Sequence, residues 1–280
     1  RCFNLKKRAF LNLKGNQGNE VRYPNNEKRI KCRQNFISFL NLAKQGKVSI
    51  KGRNMFIHEL VCELLDKPNL TEEELTIIEG QWDSHITHFQ KLLKEGKSLG
   101  EGIVLADVSA SMSGTPMYVS IALAIFISSL THSAFRDKFI SFHETPQWIS
   151  LRYPVNYVEF KNSGLSYDVW DSSRAGGELS LKEKVRVALA SPWGGSTDFV
   201  AVHDLILDVC VKNHLTSSDL PKWMVIASDM QFNKACKKNG MGQYDTLNKY
   251  GYNKKGYLVN NNDWSTIHQS LENTYRNAGI

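Results

Sequence analysis

The stretch Ile103-Val104-Leu105-Ala106-Asp107-Val108-Ser109-Ala110-Ser111 decides the fold class of this chain. Its first four residues form a short continuous apolar run, which is typical of a strand buried on both faces of a sheet. A carboxylate and two hydroxyls follow at once, in the pattern Asp-x-Ser-x-Ser. The stretch therefore predicts a buried strand that ends in a cluster of oxygen-bearing side chains.

Strands and helices alternate from this stretch onward. We predict strands at residues 103–106, 139–142, 147–152 and 223–227, and helices at residues 116–130, 181–190, 198–212 and 264–277. Such alternation is typical of an α/β protein with a doubly wound, mostly parallel sheet that is covered by helices. Ligands of these sheets bind at the carboxyl ends of the strands.

The residues before the stretch predict helices alone. Apolar residues recur at helical spacing over residues 27–43 and 55–65, and over a third segment that follows Thr71. Thr71 and Glu74 form a capping-box pattern, in which each side chain binds the backbone amide of the other. The predicted apolar faces consist of Phe56, Leu60, Leu64 and Leu65 in the second helix, and of Leu75, Ile78, Trp82, Ile86, Phe89 and Leu93 in the third. We therefore divide the chain into an all-α N-terminal region, residues 1–98, and an α/β domain, residues 99–280.

Composition places the chain among globular proteins. Of its 280 residues, 41% are hydrophobic and 22% are charged. The longest apolar run, residues 119–130, is shorter than the roughly 20 residues that span a bilayer, so we expect no membrane span. The five cysteines are widely spaced and form no C-x-x-C pair, which argues against a disulfide framework or a zinc site. We expect a reducing, intracellular location: the cytoplasm first, with the nucleus or a virus particle as alternatives.

The excess positive charge is concentrated at the N-terminus. Residues 1–53 contain 14 Lys and Arg against two acidic residues, a net charge of +12, whereas the whole chain has +7. Aromatic residues are interspersed there: Phe3, Phe10, Tyr23, Phe36 and Phe39. One interpretation is RNA or DNA binding through phosphate neutralisation and base stacking. The other is a solvated helical surface that packs on the acidic stretch at residues 54–100, whose net charge is −5.

Oxygen-bearing residues follow two predicted strands and precede one predicted helix. Asp107, Ser109 and Ser111 follow the first strand, Thr197 lies in a Gly-rich loop before the helix at residues 198–212, and Asp229 follows the fourth strand. Carboxylates and hydroxyls at one end of a sheet suit Mg²⁺, which takes oxygen ligands and keeps several waters. The alternative role for the two serines is to cap helices.

These motifs resemble the metal-ion-dependent adhesion site (MIDAS) of von Willebrand factor A (vWA) domains. The resemblance implies that Ser109 and Ser111 bind Mg²⁺, Mn²⁺ or Ca²⁺ directly, and that Thr197 is a direct or ligand-dependent contact. It implies that Asp107 and Asp229 act largely through waters. It also implies that a partner protein supplies a carboxylate to the last coordination position.

A narrower resemblance extends from about residue 30 to the end of the chain. The three motif stretches, residues 107–117, 193–199 and 228–232, are similar to those of an uncharacterised family of eukaryotes and large DNA viruses, which joins a helical region to a vWA-like domain. The layout is distantly similar to that of Ro ribonucleoproteins, which pair a helical RNA-binding ring with such a domain. Because vWA domains usually have six strands, we expect this sequence to lack the last strands.

Enzyme motifs are missing from the sequence. It contains no G-x-S-x-G elbow, no phosphate-binding G-x-x-x-x-G-K-[ST] loop and no H-E-x-x-H zinc motif. We therefore expect a metal-dependent interaction or scaffolding module that is not an enzyme. Hydrolysis by a metal-activated water is the catalytic alternative.

Overall fold

The computed structural model of the protein describes residues 23–50, 55–67, 69–95, 102–143, 145–165, 170–192, 199–228, 272 and 274–279. The chain divides into two compact units. The first consists of Arg1–Lys97 with Ser180–Lys182, and the second of Ser98–Leu179 with Glu183–Ile280.

Three helices form the described part of the first unit: α1 at Glu27–Lys44, α2 at Ile57–Asp66 and α3 at Glu72–Lys94. The predicted capping box at the start of α3 is confirmed. The Thr71 hydroxyl accepts a hydrogen bond from the Glu74 amide at 3.3 Å, and the Thr71 amide donates to the Glu74 carboxylate at 2.8 Å. These two bonds satisfy amides that the helix itself leaves unpaired, and so they fix where α3 begins.

The apolar contacts of this unit cover less of α2 and α3 than the sequence pattern predicts. The buried residues of α3 are Ile77, Ile78, Gln81 and Trp82. Phe89, predicted to lie on the same face, is 43% exposed, and Phe56, the residue before α2, is 70% exposed. These two phenylalanines belong to the predicted apolar faces, but neighbouring residues leave them exposed. Helical spacing shows which side of a helix is apolar, but not how far along the helix its neighbours cover that side.

The second unit contains a four-stranded sheet. Its strands are β1 at Gly102–Ala106, β2 at Lys138–Ser141, β3 at Trp148–Ser150 and β4 at Trp223–Ala227. Their spatial order is β3-β2-β1-β4. β1 is parallel to both β2 and β4, whereas β3 is antiparallel to β2. All four predicted strands are present, and the unit has a mixed α/β fold with a mostly parallel sheet.

Four longer helices are described in this unit: α4 at Thr115–Ser128, α5 at Tyr157–Asn162, α6 at Leu181–Leu189, whose first two residues are assigned to the first unit, and α7 at Phe199–Lys212. Short 3₁₀ helices occur at Ala110–Met112 and Ser172–Arg174. The sequence did not predict α5, although Asn156 caps it by accepting a hydrogen bond from the Glu159 amide at 2.9 Å. Of the helix predicted at residues 264–277, residues 272 and 274–277 are helical, and the rest lies outside the described residues.

The core of this unit surrounds β1, whose five residues are all buried. Ile103 and Leu105 pack with Ile140 of β2 and with Val202 and Ile206 of α7. Successive strand residues point to opposite faces, so Val104 and Ala106 are buried on the other side of the sheet. The central strand is thereby held rigidly, with its carboxyl end leading into Asp107.

Two predictions about the whole chain can be compared with the described residues. None of their helices is both long and apolar enough to cross a membrane. Of the cysteines, Cys32, Cys62 and Cys210 lie in the described part of the chain and are free thiols.

Candidate metal site

Asp107 directly follows β1. Its backbone adds one more hydrogen bond to those that pair β1 with β4. Its amide donates to the carbonyl oxygen of Ala227, the last residue of β4, at 2.9 Å. Asp107 is only 1% exposed. A buried carboxylate costs free energy unless hydrogen-bond donors compensate for the lost water.

Two donors meet this requirement, one at each carboxylate oxygen. The Ser109 amide donates to Oδ1 of Asp107 at 2.7 Å. The Ser228 hydroxyl, directly after β4, donates to Oδ2 at 3.2 Å. The carboxylate is thus fixed by its own loop on one side and by the neighbouring strand on the other.

A pair of hydroxyls leads from the buried carboxylate toward solvent. The Oγ atoms of Ser109 and Ser111 are 2.9 Å apart, and Ser109 is buried whereas Ser111 is exposed. Ser109 also precedes the 3₁₀ helix at Ala110–Met112, yet its side chain makes no capping hydrogen bond there. Capping is therefore not the role of the Ser109 hydroxyl.

Gly114 turns the chain from this loop into α4. Its φ of 86° lies in the left-handed region, where a side chain would be strained. The residue directly precedes α4, which begins at Thr115 with Pro116 in its first turn. The turn lets the serine-bearing loop pass directly into a helix that packs against β1 and β2.

The spacing of the two hydroxyls fits a small divalent cation. Mg²⁺ holds oxygen ligands at about 2.0–2.1 Å, so two adjacent ligands of an octahedron lie about 2.9 Å apart. The Ser109 and Ser111 hydroxyls, which are hydrogen-bonded to each other, have their oxygens at this separation.

No three His, Cys, Asp or Glu side chains come together as a metal-binding group within the described ranges. The other oxygen-bearing side chains described in the hydrogen-bonded cluster at Asp107 are the hydroxyls of Ser109, Ser111 and Ser228.

The structure brings together three of the five predicted site residues: Asp107, Ser109 and Ser111. Thr197 and Asp229 lie outside the described residues. Sequence reasoning did not include Ser228 in the site. The sequence places Ser228 directly after the fourth predicted strand, but only the observed parallel register, which pairs Ala106 with Ala227, sets it beside Asp107.

The basic N-terminal segment is described from residue 23 to residue 50, and only part of its charge is neutralised there. Lys44 forms an ion pair with Glu72 at the start of α3. This hydrogen bond and the lysine charge lower the pKa of the exposed Glu72 carboxyl. Lys28 and Lys31 are exposed and have no acidic partner among the described residues. Beside them, the Arg29 guanidinium lies 4.3 Å from the ring centroid of Tyr23.

Comparison with known proteins identifies relatives but not an activity. The chain is 26% identical over 229 residues to an uncharacterized protein of Acanthamoeba polyphaga mimivirus. That alignment covers 82% of this chain and 34% of the viral protein, so the chain spans about a third of that relative's length. No solved structure matches the chain.

Residues 101–280, which contain β1, Asp107 and both serines, match the model of a family described as a domain of unknown function. The match covers well over half of the chain and includes all five predicted site residues. The chain belongs to this family, Domain of unknown function (DUF7788).

Proposed function

We propose that the protein is a divalent-metal-dependent interaction module of the vWA type, which binds an acidic partner protein through Mg²⁺ or Mn²⁺. The observation that carries this proposal is the pair of Ser109 and Ser111 hydroxyls, 2.9 Å apart, beside the buried carboxylate of Asp107. The mostly parallel sheet, with this cluster at the carboxyl end of its central strand, supports the assignment.

The roles of the residues follow from their contacts. Ser109 and Ser111 would bind the ion directly, since their oxygens have the spacing of adjacent ligands. Asp107 supplies negative charge from behind them, while hydrogen bonds from Ser109 and Ser228 hold both of its oxygens. Thr197 and Asp229 complete the proposed ligand set. An ion with so few carboxylate neighbours stays electrophilic and attracts a carboxylate from another protein.

The test of the metal site is a Mn²⁺ titration of the full chain, with free Mn²⁺ followed by electron paramagnetic resonance. Wild type should bind one ion, and Asp107→Ala should bind none. Asp107→Asn keeps the shape and removes the charge, so it should bind at least tenfold more weakly. Ser111→Ala should weaken binding, whereas Ser113→Ala, an exposed serine of the same loop, should not. Equal binding by wild type and Asp107→Ala, or no binding by either, would refute the proposal.

The acidic partner is tested with a display library of peptides that contain Asp or Glu. We expect wild type to retain such peptides with Mn²⁺ and to release them with EDTA, because the carboxylate would occupy the open coordination position. Asp107→Ala should retain none above background. Retention that does not depend on metal would contradict this part of the proposal. The free thiols at Cys32, Cys62 and Cys210 support an intracellular setting for the interaction.

Nucleic-acid binding through residues 1–53 is the second candidate function. The specific observation in its favour is the exposed pair Lys28 and Lys31, which the acidic residues of the described first unit do not neutralise. Tyr23, with Arg29 stacked on it, adds an aromatic ring that a base could stack against. These groups lie on or next to one helix, α1, and need no metal.

Binding of a fluorescent single-stranded RNA at several salt concentrations tests this candidate. Each phosphate contact on a single strand contributes a salt slope of about −0.7, so Lys28→Gln with Lys31→Gln should reduce the slope by about 1.4. Lys91→Gln with Lys94→Gln removes the same charge from α3 and should leave the slope unchanged. Asp107→Ala should also leave RNA affinity unchanged. Equal slopes for the two lysine pairs would contradict a specific role of α1.

A further inference from the structure

Ser228 is the residue through which β4 reaches the candidate metal site. It follows directly after β4, beside Asp107, because the parallel register pairs the preceding residues, Ala106 and Ala227. Its hydroxyl donates to Oδ2 of Asp107 at 3.2 Å, across 121 residues of sequence. No part of the predicted ligand set included it.

Without Ser228, the Asp107 carboxylate would accept only one described hydrogen bond. The Ser109 amide holds only Oδ1, at 2.7 Å. A carboxylate fixed at one oxygen can turn about the bond to its Cβ atom, and its buried second oxygen would lose a donor. With both oxygens held, the plane of the carboxylate is set before any ion arrives.

We infer that Ser228 is a positioning residue for the metal site: its hydroxyl orients the Asp107 carboxylate toward the ion and is not itself a ligand. This inference rests on the proposed metal-binding function. Partners that orient direct metal ligands typically contribute roughly 10–100-fold to metal affinity. Because Asp107 is proposed to act largely through waters, removing the Ser228 hydroxyl should weaken Mn²⁺ binding by about tenfold, the lower end of that range, without abolishing it, whereas Asp107→Ala abolishes it.

A matched pair of variants isolates the hydroxyl. Ser228→Thr keeps the hydroxyl. Valine has nearly the same shape as threonine but lacks the hydroxyl, so Ser228→Val is the matched control. Mn²⁺ affinity is measured on the full chain, and urea unfolding in EDTA is measured on the same samples. We expect Ser228→Thr to bind within about threefold of wild type, and Ser228→Val to bind about tenfold more weakly than Ser228→Thr.

The outcomes separate this inference from the proposed function. If wild type binds Mn²⁺ and the Val and Thr variants bind equally well, the role of Ser228 is refuted while the metal site stands. A lower unfolding midpoint of Ser228→Val in EDTA, with unchanged Mn²⁺ affinity, assigns Ser228 a merely structural role and also refutes it. If wild type binds no Mn²⁺, the proposed function fails, and the inference fails with it. Ser228→Ala replaces the Val variant if the latter does not fold.

Discussion

The two units of this protein present charge in opposite ways. On α1, Lys28 and Lys31 are exposed, and their charge acts over distance and is screened by salt. At the end of β1, Asp107 is buried and fixed by hydrogen bonds at both carboxylate oxygens. The first arrangement can attract any polyanion, whereas the second requires a ligand that fits the geometry of a few atoms. Experiments on charge should therefore give different signatures in the two units.

We expect the largest effect, a loss of stability, from a substitution in the core that holds the buried Asp107 carboxylate in place. Leu105→Ala should lower the free energy of unfolding by about 2–5 kcal/mol, because this side chain is fully buried in the central strand. Urea unfolding followed by circular dichroism measures it. The control is Leu42→Ala on α1, where the leucine is 40% exposed and the cost should stay within about 0.5 kcal/mol. Similar losses of unfolding free energy for both variants would show that the difference in burial between Leu105 and Leu42 does not affect stability.

The next effect concerns the choice of ion. Because Ca²⁺ takes six to eight oxygen ligands whereas Mg²⁺ keeps several waters, the small proposed ligand set predicts that Ca²⁺ displaces bound Mn²⁺ less effectively than Mg²⁺ does at equal ionic strength. Competition titrations on wild type measure this ratio. Equal displacement by the two ions would show that the serine pair adapts to the cation. RNA binding by α1, if present, should not distinguish these ions at matched ionic strength.

A smaller effect is expected at the start of α3. Thr71→Ala removes the hydroxyl that accepts from the Glu74 amide and should cost about 1 kcal/mol of stability. Thr71→Ser keeps an acceptor and should restore most of it. Thermal unfolding of the three proteins provides the comparison. If the Ala and Ser variants melt together below wild type, the methyl group of Thr71 matters and the hydroxyl does not.

The smallest effect is the pH response of the Lys44–Glu72 ion pair. The hydrogen bond and the charge of Lys44 lower the pKa of Glu72, so the pair stabilises the folded state above the ordinary glutamate pKa. This contribution is lost as the pH falls through the lowered pKa. Carboxyl NMR titration should show the pKa of Glu72 rising toward its ordinary value in Lys44→Met. An unchanged pKa would show that the exposed pair does not persist in solution.

Local signals allowed much of the architecture to be predicted. The apolar run before Asp107 identified β1, and the Thr71–Glu74 spacing identified the start of α3. Both depend on neighbouring residues in the sequence, and so a single segment contains the whole signal. The pairing of the Ser109 and Ser111 hydroxyls is equally local, since both lie in one short loop.

The features that the sequence did not reveal depend on distant contacts. Phe89 continues the helical pattern of α3, but only tertiary neighbours determine whether such a residue is covered. The bond from Ser228 to Asp107 depends on the register of β1 with β4, which is fixed by packing and not by either strand's own sequence. The cap formed by Asn156 and Glu159 is a local signal that was overlooked.

The long separation between β1 and β4 has a consequence for the order of assembly. β1, β2 and β3 occupy Gly102–Ser150 and can pair early, whereas the β4 residue that pairs with Ile103 is Met224. Closing so long a loop is slow relative to local pairing. The serine loop can therefore form well before Ser228 arrives to fix Asp107. An ion bound at the proposed site would favour this last docking step, so the proposed metal dependence would extend to the completion of folding.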